Sequence, residues 1–136
     1  MNRMTAGVFT IVLLSCLAAI STADIPDLTG NWTGPYTEYQ QPNGFFEGDA
    51  GRFSLNITEQ QDRIFTGFLI YSRSDGSEVH REIVGVVSSD GTELSVAEKE
   101  NGYSTGKILG PDEIELVYLS DKDPVSAAVD HLFRTA

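Results

Sequence analysis

Apolar and polar positions alternate along this chain in short runs, and clusters of turn-forming residues separate the runs. Between Arg52 and Thr58, Phe53, Leu55 and Ile57 share one face while Arg52, Ser54 and Asn56 share the other. A period of two with one apolar side marks a strand that has one buried and one wet face. The same alternation predicts strands over 92–98 (Leu94 and Val96 against Glu93 and Ser95) and over 113–119 (Ile114, Leu116 and Tyr118 against Glu113 and Glu115). Strands are also predicted over 31–39, 79–87, 103–109 and 127–134, and the run over 63–73 is apolar on both faces. Gly34-Pro35 predicts a bend in the first strand, because proline has no N–H to give to a ladder.

Turn signals fall at 42–51, 59–62, 74–77, 88–91, 100–102, 109–112 and 120–124. Asp75-Gly76, Asp90-Gly91 and Asn101-Gly102 are the strongest, since such pairs supply the positive φ that primed hairpin turns need. The stretch 42–51 reads as a long glycine-rich connection carrying the adjacent aromatics Phe45 and Phe46, and 125–128 reads as strand or as a short helical turn. Eight strands with hairpin-like connections and no helical interruption form an antiparallel meander. Closing the meander removes its exposed edges. The expected fold is therefore all-β, an eight-stranded antiparallel up-and-down β-barrel, with a sandwich or open rolled sheet as the alternative.

The first 23 residues are expected to lie outside that fold. Arg3 forms a positive n-region, 6–19 is an apolar h-region, and Ser21-Thr22-Ala23 is a small-residue cleavage site. The apolar run is shorter than the roughly 20 residues of a membrane span, so a cleaved signal peptide is preferred over an N-terminal anchor. Leu13-Leu14-Ser15-Cys16 resembles a bacterial lipobox, which makes lipidation at Cys16 a third reading. The mature chain, 24–136, is then one extracytoplasmic domain without cysteine. Removing Arg3 from the 9 basic residues leaves 8 against 20 acidic ones, a formal charge of −12. A charge of that sign, with no basic patch, disfavours nucleic acid and anionic membrane surfaces as partners.

Gly30-Asn31-Trp32 at the head of the first strand, together with Arg134 near the end of the last, resembles the calycin superfamily of lipocalins, fatty-acid-binding proteins and avidins. The resemblance implies that the first and last strands are neighbours and that Arg134 stacks on the indole of Trp32 at a closed end. Trp is the best aromatic face for such a cation. The avidins are the nearer likeness: Leu28-Thr29-Gly30-Asn31-Trp32 is similar to their opening strand, Phe65-Thr66-Gly67 and Ile83-Val84-Gly85 to their strand centres, and Val129-Asp130-His131-Leu132-Phe133 to their last strand. Avidins enclose biotin with several tryptophans from late strands, whereas Trp32 is the only Trp here. Biotin binding does not carry over.

No catalytic motif is present, and no enzymatic activity is expected. His80 and His131 lie near abundant Ser and acidic residues but in no nucleophile-elbow context. His80 and Glu82 share a strand face, yet two ligands make no metal site, and Asp112-Glu113 and Asp121-Lys122-Asp123 lack an EF-type loop. No cofactor is expected. Asn31-Trp32-Thr33 and Asn56-Ile57-Thr58 fit the glycosylation sequon. Tyr36, Tyr71, Tyr103 and Tyr118 are the candidate ligand-binding residues, each offering a ring and a hydroxyl, with Phe45 and Phe46 as a lid or anchor. An eight-stranded barrel has room either for its own side chains or for one small ligand. Two functions follow: an interior site for a small apolar ligand, neutral or cationic, or a protein-interaction module that uses loops or outer wall around a filled core.

Overall fold

A computed structural model describes residues 24–73 and 75–135; the expected signal segment 1–23, Cys16 included, lies outside the described residues. The predicted alternation becomes ten β-strands: β1 (Gly30–Thr33), β2 (Tyr36–Gln40), β3 (Gly44–Gly48), β4 (Phe53–Gln61), β5 (Ile64–Ser72), β6 (Glu78–Val87), β7 (Glu93–Glu98), β8 (Tyr103–Gly110), β9 (Glu113–Ser120) and β10 (Ser126–Thr135). No helix occurs among the described residues. All pairings are antiparallel, each strand from β4 to β10 pairs with the next, and β1 pairs with both β4 and β10. The sheet is thus closed. β1 with β2, and β3 with β4, are the halves of two bent strands, which makes eight staves in up-and-down order.

The bend at Gly34-Pro35 lies where proline predicts it. His131 N–H donates to Pro35 O at 3.0 Å across the break, and a Cβ on Gly34 would overlap the His131 carbonyl oxygen. Only glycine lets the two backbones approach so closely. The inward alternation survives the bend, so Trp32 and Tyr36 stand on one wall.

Two expectations are corrected and one open alternative is decided. The stretch 42–51 is not a plain loop: β3 lies within it and pairs with β2 in the register Tyr39↔Phe45 and Tyr36↔Gly48. The stretch 125–128 contains no helical turn, because Ser126–Ala128 pair with both β2 and β9. The strong turn pairs are not primed turns. Gly76 and Gly91 alone take positive φ in theirs, and in the third turn it is Glu100, at φ 55°, rather than Asn101-Gly102. Asp75 accepts instead from Ser77, and Asp90 accepts from Ser88 Oγ and from Thr92; those bonds hold both carboxyls below the usual carboxylate range.

One end of the barrel is sealed. Trp32, fully buried, packs there with Leu28, Leu55, Ile57, Phe65 and Leu132. Residues before β1 cross beneath the floor, and Leu28 O accepts the Trp32 indole N–H at 2.9 Å. Arg134, opposite Trp32 in the register, lays its guanidinium 4.2 Å from the centre of the indole ring. It also donates to Thr29 O, Asp27 O, Pro111 O and Asp112 Oδ1. A lysine ammonium can neither span those acceptors nor stack in the same way. Arg134→Lys is expected to cost about 1–2 kcal/mol in a urea titration; a variant as stable as the wild type would show that the clasp is only decorative.

Candidate functional site

Above the floor the barrel is open. Inward positions of β2 and of every strand from β4 to β10 surround a cavity of about 470 Å³ that opens at the end bearing Gln40, Ser72, Asn101 and Pro124. Tyr36 comes from β2, Tyr71 from β5 and Tyr118 from β9. Phe53 lies against Tyr36 at 6.3 Å between ring centres, and Gly48 leaves the space that the Tyr36 ring fills. The cavity walls are aromatic over three sides.

The fourth contribution is acidic. Glu38 on β2, Glu98 on β7 and Asp130 on β10 all face inward into this cavity. Glu98 accepts from Ser104 Oγ at 3.0 Å and from Asn101 Nδ2 at 2.6 Å. Asp130, only 3% exposed, stands at the base of the cavity between Ala128 and Leu132. No side chain among the described residues hydrogen-bonds its carboxyl, and none of the three carboxylates lies within 4.0 Å of a cation. Burial, and then the charges of Glu98 and Glu38, push the Asp130 carboxyl up to about 7. Burial also raises Glu38, and it raises the Tyr118 phenol. Two cations line the cavity, Arg81 and Lys122; Arg81 donates to Tyr71 Oη at 3.2 Å and to Lys99 O at 3.4 Å.

Of the residues predicted for the site, Tyr36, Tyr71 and Tyr118 come together in the cavity, and Gly30, Trp32 and Arg134 form its floor. Tyr103 does not join them; it points outward and is 73% exposed. Phe45 is 78% exposed on the outside, edge-on to Tyr39 at 4.8 Å. Phe46 lies opposite Glu38 in the β2–β3 hairpin near the mouth, but it does not line the cavity. The His80–Glu82 pair dissolves, since His80 meets Glu78 at 3.4 Å and Glu82 takes Lys99 at 2.7 Å. No group of three or more metal-ligating side chains occurs among the described residues.

Glu38, Glu98 and Asp130 were not predicted as site residues, although a signal existed. Glu98 continues the inward series Leu94, Val96, and Asp130 stands between the inward Ala128 and Leu132. A carboxylate in phase with core positions is a buried carboxylate.

A second apolar surface runs around the outside. Register places Val84, Ala97, Tyr103, Leu119, Ala127, Tyr39 and Phe45 side by side across β6, β7, β8, β9, β10, β2 and β3. Val84 and Leu119 are exposed, as are Ile64 and Val86 beside this row.

No family model matches the chain, and no curated protein matches it. Solved structures do. A redesigned β-barrel superposes with a TM-score of 0.60 at 10% identity, covering 80% of this chain and 92% of its own. A de novo designed fluorescence-activating β-barrel reaches 0.50 at 14% identity over 79% and 93%. A third barrel, solved bound to the small molecule DFHBI, reaches 0.55 at 13% identity over 79% and 94%. At such identities the likeness is one of fold alone, a closed eight-stranded antiparallel barrel.

Proposed function

We propose that this chain is an exported, non-enzymatic β-barrel that binds a small ligand in its interior. The observation that carries the reading is the cavity of about 470 Å³ above a sealed floor, walled by Tyr36, Tyr71 and Tyr118. A core built only for stability would fill that space, because close packing is what stabilises an interior. The designed barrels of similar fold, one described as fluorescence-activating and one bound to DFHBI, support it by analogy. The Trp32–Arg134 stack at the closed end supports a calycin-like ancestry, and the apolar run over 6–19 supports extracytoplasmic placement. The ligand is less purely apolar than the tyrosines alone suggest, since polar and charged groups share the walls.

The outer apolar row from Val84 to Phe45 favours a second reading, a protein-interaction module. One experiment separates the two. A panel of small aromatic and aliphatic compounds is titrated against the protein by tyrosine and Trp32 fluorescence. Tyr36→Ala and Tyr71→Ala are each expected to weaken binding by about five- to thirtyfold, the loss of one aromatic wall, while the outward Tyr103→Ala leaves it unchanged. Binding that ignores both inward substitutions would remove the interior site and leave the outer wall as the functional surface.

A further inference from the structure

The carboxylates of the cavity narrow the class of ligand. Glu38, Glu98 and Asp130 come from three different staves and converge on one space, so their mutual repulsion is built into the fold rather than relieved by local pairing. Asp130 is the most informative of them. The residue is 97% covered and no protein group hydrogen-bonds its carboxyl, yet no fully buried side-chain oxygen among the described residues lacks a partner, so its oxygens are the part left open to the cavity. Its oxygens lack neither space nor direction, because it lines the base of the cavity. Neither of the two cations that line the cavity, Arg81 and Lys122, is the missing partner, since neither lies within 4.0 Å of the Asp130 carboxyl, and Arg81 donates instead to Tyr71 Oη and Lys99 O.

We propose that the interior site takes a small organic ammonium ion, with its charged nitrogen against Asp130 and its apolar body among Tyr36, Tyr71 and Tyr118. The proposal rests on the reading of the barrel as a ligand-binding domain. An ammonium supplies the donors that Asp130 lacks and offsets the joint charge of the three carboxylates. The tyrosine rings present their negative faces to the carbons next to that nitrogen, the arrangement by which aromatic walls select cations. A carboxylate or phosphate ligand would meet three like charges inside. A neutral ligand would leave the convergence of acids without a counterpart.

The test uses matched compounds that differ only in charge: phenethylamine, 2-phenylethanol and phenylacetate, with tryptamine, tryptophol and indole-3-acetate as a second scaffold. Calorimetry at pH 8 is expected to rank each amine about ten- to a hundredfold above its alcohol, with the acid weakest, as charged hydrogen bonds do. Asp130→Asn is expected to bring amine and alcohol to within about threefold of each other, with the amine losing the larger share of its affinity. Glu98→Gln, which leaves the Asp130 site intact, is expected to keep the ranking at reduced contrast. Alcohols or acids that bind as tightly as the amines overturn the cation assignment and leave the interior site standing. So does an amine preference that Asp130→Asn does not change. If no member of either scaffold binds the folded wild type, the interior-site reading falls, and the cation assignment with it.

Discussion

Asp130→Asn is expected to make the protein more stable at pH 8, by about 2–4 kcal/mol, and to change little at pH 4. The folded carboxyl ionises near pH 7 rather than at its ordinary 3.8, because burial and then Glu98 and Glu38 oppose its charge. The folded state therefore holds a proton that the unfolded chain releases. Its stabilising contribution is whole below pH 3.8, declines as pH rises, and is gone above pH 7. About three pH units of displacement at 1.36 kcal/mol each set the upper bound of about 4 kcal/mol. Asparagine keeps the shape without the charge. Paired urea titrations of wild type and variant between pH 4 and pH 8 isolate the contribution of Asp130 and its coupling to Glu98 and Glu38, because groups away from the cavity titrate alike in both. A difference that stays constant with pH, or a variant weaker than wild type at pH 8, would mean that Asp130 is solvated in the folded state.

Trp32→Ala is expected to cost about 3–5 kcal/mol, the range for deleting a large buried aromatic. The indole is fully covered, its N–H is held by Leu28 O, and Arg134 lies over its ring. A closed barrel relaxes poorly around the void, since β1 is bonded on both sides, to β4 and to β10. Circular dichroism in urea gives the measurement, as the variant lacks its only tryptophan. A shift equivalent to less than about 1 kcal/mol would show that the floor closes without the indole.

The architecture was legible because period-two alternation needs no tertiary information: the runs over 52–58, 92–98 and 113–119 alternate in sequence as they do in space, and turn signals bound the 63–73 run, which is apolar on both faces. Gly34-Pro35 announced its bend through the chemistry of proline. β3 was hidden for a reason of the same kind. Gly44-Phe45-Phe46-Glu47-Gly48 has no alternation, because it is an overhanging hairpin arm paired only with β2 and has no core beneath it to impose a pattern. Tyr103 misled because its apolar neighbours lie outside the barrel, in the row with Ala97 and Leu119, and an exterior strip looks like an interior one in sequence. The acids of the cavity were obscured by number. Among 20 acidic residues, most of them solvated, phase with Leu94 and Val96 or with Ala128 and Leu132 is all that marks Glu98 and Asp130.

Both ends of the described chain leave the barrel on the same side. Ile25 and Leu28 pack into the sealed floor, and Thr135 pairs with Asn31 beside it, while the mouth lies at the far end of the staves. Whatever is joined to either terminus is therefore held behind the molecule, with the entrance turned away from it. Coupling the protein to a bead, a sensor chip or a fusion partner through its ends presents the opening uniformly to the solution, and a tether placed at residue 24 orients the cavity mouth outward from the surface that carries it.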